Sequence, residues 1–64
     1  KLNPNYYLAY ELAGNYYKAK QLYAKAIIAY KTALGKEIAT KAQQDVIQNN
    51  LEECKTENRK LHAN

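Results

Sequence analysis

Apolar side chains in this chain return every three or four residues and nowhere alternate with polar ones, which predicts helices and no strands. Tyr7, Tyr10, Ala13, Gly14 and Tyr17 fall on one face of a first helix predicted over residues 5–20. Asn3 before Pro4, or Asn5 after it, suits the start of that helix, because asparagine accepts from unpaired amides and proline tolerates the first turn. Between Lys18 and Leu22 the rhythm slips and polar residues gather without proline or glycine, so a short connection is expected near Ala19 to Gln21. A second helix follows over 22–34, with Tyr23, Ala26, Ile27, Tyr30, Ala33 and Leu34 along one side and Gly35 placed as a left-handed terminator. Two helices joined so tightly form an antiparallel hairpin.

After a loop over 35–40, a third helix is expected over 41–61. Thr40 and Gln43 have the spacing of a capping box, in which hydroxyl and amide side chains satisfy each other's backbone N–H groups. The apolar stripe is Val46, Ile47, Leu51, Cys54 and Leu61, and Asp45, Gln48, Asn49, Glu52, Lys55 and Asn58 form a wet opposite side. The expected architecture is all-α: an antiparallel helical hairpin covered by a third, amphipathic capping helix, within a single domain spanning 1–64.

Composition narrows what such a fold can do. Sixty-four residues allow one small core, and a domain of this size buries only about 60% of the surface its unfolded chain exposes. Apolar residues at 47% suffice to fold it. All seven tyrosines lie in the first half, with no phenylalanine or tryptophan; each hydroxyl needs water or a partner, so the core is expected to be thin. The one cysteine, Cys54, has no second cysteine to pair with, and with His62 alone it makes no zinc site, so no metal or cofactor is expected. No acid, base and nucleophile set converges in the pattern, so no catalytic residue is assigned and no enzyme is expected. No apolar run approaches the roughly 20 residues that span a bilayer, so no membrane partner is expected either.

One spacing carries more information. Tyr10, Ala13, Gly14 and Tyr17, followed by Ala26, Tyr30 and Ala33, stand at the intervals of a helical repeat of about 34 residues, written W-x2-L-G-x2-Y and A-x3-F. Over Tyr7 to Leu34 the chain resembles a tetratricopeptide repeat, with tyrosine for other aromatics and Ala13 for a leucine. The resemblance implies a protein-interaction or scaffold module within a larger chain, with residues 1–4 as the remnant of a preceding linker. Gln44 and Gln48 stand where a next repeat would place its aromatic and glycine, so the third helix reads as a degenerate terminal cap. More loosely, Leu2 to Tyr10 with Lys36, Glu37 and Ile38 is similar to helical tails of bacterial peptidases of the acyl-CoA:6-aminopenicillanic acid acyltransferase type. Their N-terminal cysteine nucleophile belongs to another domain and has no counterpart in Cys54.

Two sets of residues are candidates for partner binding. In the repeat family the first helix lines a groove, and the positions that face it here are Leu8, Glu11, Asn15 and Lys18. Asn15 matches the asparagine with which clamp-type members hold a peptide's terminal carboxylate, whereas Glu11 stands where they carry a lysine and would repel that group. Leu8, Leu12 and Tyr16, with Ala19, make a second apolar face on the same helix, to be covered by the third helix, a neighbouring repeat or a partner, including a second copy of this chain. Residues 1–35 hold five lysines against Glu11 alone, and the remainder is balanced. Lysines interleaved with tyrosines raise a nucleic-acid alternative, against which stand a net charge of only +4 and a single arginine, Arg59.

Overall fold

The computed structural model describes residues 6–36, 38 and 40–62. The expected cap at Asn3 or Asn5 and the linker remnant over 1–4 lie outside these residues. The protein is all-α, with α1 at Tyr6–Ala19, α2 at Tyr23–Leu34 and α3 at Lys41–His62, and no strand among the described residues. Packing of α1 against α2 forms the antiparallel hairpin, and α3 lies along α2.

The turn between α1 and α2 explains how a hairpin closes without glycine. Gln21 is left-handed, at φ 62°. The Leu22 N–H donates to the Tyr17 carbonyl at 2.8 Å and the Gln21 N–H to the Lys18 carbonyl at 2.9 Å. These are the two bonds of a Schellman motif, with glutamine in the place glycine usually takes. Gly35, by contrast, does not adopt the left-handed conformation expected of it: its φ is −81° and ψ −6°. Its N–H donates to both the Lys31 and Thr32 carbonyls at 3.1 Å, and the Lys36 N–H donates to Ala33 at 3.0 Å. Tightening of the last turn thus satisfies the Lys31, Thr32 and Ala33 carbonyls without a left-handed Gly35.

At the start of α3 the Gln43 backbone N–H donates to Thr40 Oγ1 at 3.1 Å, one half of the expected capping box. The other half is replaced. Gln43 turns its side chain toward α1 and donates from Nε2 to Glu11 Oε1 and Oε2 at 2.7 and 2.8 Å. An amide N–H given to a carboxylate makes a charge-assisted bond, and it removes the cost of leaving that carboxylate unpaired in a buried position.

The core is built around one ring. Tyr30 is fully buried together with Ala26, Ala33, Ile47 and Cys54, and Leu51 completes the cluster. Tyr7, Tyr17, Tyr23, Ile27, Leu34 and Ile38 pack around it while keeping one edge near solvent. Ile47, Leu51 and Cys54, four and three residues apart, are the true seam of α3. Val46 and Leu61, expected on that seam, are 47% and 57% exposed. Val46 is rotated about 100° from Ile47 on the helix, and Leu61 lies in its last turn.

The close approach of α1 to α2 occurs at Gly14, which is buried against Tyr30. A β-carbon at residue 14 would stand 2.6 Å from Tyr30 Cε1 and 2.8 Å from both Cδ1 and Cζ. The sequence pattern suggests that alanine is tolerated here. The geometry contradicts it, because the opposing atoms belong to a rigid ring held on all sides.

Candidate partner-binding surface

The six partner-binding candidates divide into two groups. Glu11, Asn15 and Lys18 follow one another at four and three residues on α1, and each side chain bonds to another helix, with Glu11 buried, Lys18 half-buried and Asn15 exposed. Glu11 is 7% exposed and bonded to Gln43. Asn15 Oδ1 accepts from the Tyr30 hydroxyl in a short hydrogen bond. Lys18 Nζ donates to Asn50 Oδ1 at 3.0 Å and to Glu53 Oε1 at 2.6 Å. Their side chains are engaged in fastening α1 to α2 and α3.

Sequence reading did not single out Gln43, Asn50 and Glu53 as the receiving row on α3. Their spacing of seven and three residues beside the Ile47, Leu51 and Cys54 seam was the available signal.

Burial and neighbours also set the protonation of the core. Tyr30 is pushed up from 10.0 to about 12 by burial first, then by the nearby Cys54, Glu11 and Glu53. Burial likewise raises the Cys54 thiol above its ordinary value, with Lys18 opposing and Glu53 and Glu57 reinforcing the shift. A buried thiol held protonated is a weak nucleophile.

Leu8, Leu12 and Tyr16 form the second group, on the side of α1 turned away from α2. They are 39%, 58% and 59% exposed. Of the three covers expected for this face, the third helix, a neighbouring repeat or a partner, α3 is therefore not the one; it seats its stripe on α2 and reaches α1 through polar side chains. Tyr10, which the sequence pattern places on one face of α1 with Tyr7, Gly14 and Tyr17, is also 39% exposed.

Tyr10 instead lines a groove of about 280 Å³ between α1 and α2, together with Ala13, Tyr17, Lys25, Ile28, Ala29 and Thr32. Two alanines floor the depression because helices in contact through small residues leave space beside them. Ile28 stands on its edge, 66% exposed. It was legible as the large apolar residue of α2 left off the predicted stripe, with Lys25 and Thr32 sharing its face at three and four residues. Tyr16 meets Tyr17 edge to face at 5.6 Å between centroids, joining the groove to the Leu8 and Leu12 face.

Cations sit over these rings. Lys25 Nζ lies 5.9 Å from the Tyr17 centroid, Lys36 5.4 Å from Tyr10 and Lys20 5.7 Å from Tyr16, all within cation–π range.

No helix is long and apolar enough to cross a membrane among the described residues. Comparison with protein-family models, curated proteins and solved structures gives no match.

Proposed function

We propose that this chain is a protein-interaction module of the tetratricopeptide kind, in which the helical hairpin presents the binding surface and α3 closes its other flank. The observation that carries this proposal is the apolar surface left open on the hairpin: Leu8, Leu12, Tyr16 and Ile28 are large, exposed and connected through the Tyr16–Tyr17 contact. Contiguous exposed apolar residues on a small domain mark contact surfaces more often than scattered single ones do. The tight seat of Gly14 on Tyr30 supports the repeat resemblance, since it supplies a physical reason for glycine at that interval.

A photo-crosslinking residue placed at position 12 or 28, with position 49 on the wet side of α3 as the control, tests the proposal in extracts of the source cells. Protein adducts from 12 or 28 and none from 49 are expected. Equal labelling from all three, or none from any, overturns it. Sedimentation at several concentrations, with and without Leu12→Lys, tells whether the partner is a second copy. Binding to single-stranded nucleic acid that falls steeply with salt would favour the alternative instead.

A further inference from the structure

Resting on the interaction-module proposal, we infer that the groove between α1 and α2 receives an acidic amphipathic helix of a partner protein. Its apolar side chains would lie between Tyr10, Tyr17 and Ile28, and its carboxylates would reach Lys25 and Lys36.

Shape supplies the apolar half of the case. The alanine floor between aromatic and isoleucine walls accepts aliphatic side chains along one helical stripe, and the groove follows the axes of the two helices that form it. Charge supplies the other half. Glu11, the only acidic residue before position 37, is buried on the side of α3, so the outer surface of the hairpin carries cations alone. All four ion pairs among the described residues use carboxylates of α3. Lys25 and Lys36 take part in none of them and are held over the tyrosine rings of the groove. A partner carboxylate meets them without breaking an ion pair among the described residues.

The same facts weigh against other occupants. A second copy docking hairpin to hairpin would bring lysines against lysines. A nucleic acid would need the ring faces of Tyr10 and Tyr17, over which the ammonium groups already sit, and it gains nothing from Ile28.

Two synthetic helical peptides of about 18 residues, roughly 27 Å long, test the inference. They share one leucine stripe and carry either glutamates or lysines beside it. Binding of each to the full chain is followed by fluorescence anisotropy, and amide chemical shifts locate the contact. The glutamate peptide is expected to bind at least about 10-fold more tightly, since like charges brought together oppose docking. Its largest shifts should fall on Ala13, Ile28 and Ala29. Ile28→Asp should weaken it by about 10-fold or more, with circular dichroism showing the helices intact, and Lys25→Glu with Lys36→Glu should reverse the preference between peptides. Leu12→Lys, outside the groove, should leave affinity within about twofold. Equal affinity for both peptides, no binding of either, shifts centred on Leu8 and Leu12, or displacement by a single-stranded oligonucleotide overturns the inference. If crosslinks from positions 12 or 28 persist after such a result, the acidic-helix assignment alone falls; if they are absent too, the interaction-module proposal falls with it.

Discussion

Gly14 lies with its backbone against the ring of Tyr30, and no space remains between them for a methyl group. This contact sets how near α1 comes to α2. The fully buried Tyr30 ring cannot swing away, because Ala26, Ala33, Ile47 and Cys54 surround it.

Gly14→Ala should therefore destabilise the fold by about 1–3 kcal/mol as the helices are forced apart. Helix propensity alone argues the reverse, a gain of about 1 kcal/mol for alanine over glycine. Urea unfolding decides between them. In the Tyr30→Leu background the penalty of the alanine should shrink, since the ring atoms it meets are gone; an unchanged penalty would place the clash elsewhere.

The two helix ends exchange the roles that their residue types suggest. Gln21 holds a left-handed conformation at φ 62°, while Gly35 sits at −81° with only ordinary contacts, 3.4 Å or more, around an added β-carbon. Gln21→Gly should stabilise by about 0.5–1 kcal/mol, the left-handed strain of about 1–2 kcal/mol being partly offset by glycine's freedom in the unfolded chain. Gly35→Ala should also stabilise, by about 0.4–1 kcal/mol. Thermal melts of the two variants and their combination check both, and a lower melting temperature for Gly35→Ala would contradict the right-handed end.

The polar fastening between α1 and α3 should be unequal along its length. Gln43→Ala removes the side chain bonded to a buried carboxylate, and a loss of about 1–3 kcal/mol is expected. Lys18→Ala breaks a pair whose Glu53 side chain is 56% exposed, and solvent screening should hold that loss to about 1 kcal/mol or less. Chemical denaturation of the two variants at equal salt should rank them in that order.

Alkaline pH should loosen the core. Tyr30 titrates near 12 in the fold against 10.0 for an unperturbed tyrosine. The folded state thus keeps a proton that the unfolded state has released. Its contribution is fully present below pH 10 and is lost as pH rises toward 12, by up to about 3 kcal/mol. The raised Cys54 thiol acts in the same direction, from the ordinary thiol value upward. Tyr30→Phe should lose about 0.5–1.5 kcal/mol at neutral pH with the Asn15 hydrogen bond, yet show a shallower alkaline decline. Stability curves from pH 7 to 12 for both proteins test the sign.

Much of the architecture was legible in residue order. Three-and-four spacing decides which stretches become helices and which side of each is apolar, because a helix repeats every 3.6 residues whatever surrounds it. That was enough to recognise the hairpin, the short joint near Gln21 and the amphipathic α3. Glu11, Asn15 and Lys18 share a face by the same arithmetic, but spacing does not say what that face meets. The packing of α3 against α2, with Ile47, Leu51 and Cys54 closing over Tyr30, brought Gln43, Asn50 and Glu53 up to them. It also left Leu12 and Ile28 outside. Periodicity along one helix is a local property, whereas burial depends on which neighbour arrives, and only the assembled fold decided where the open groove with its lysine rim would lie.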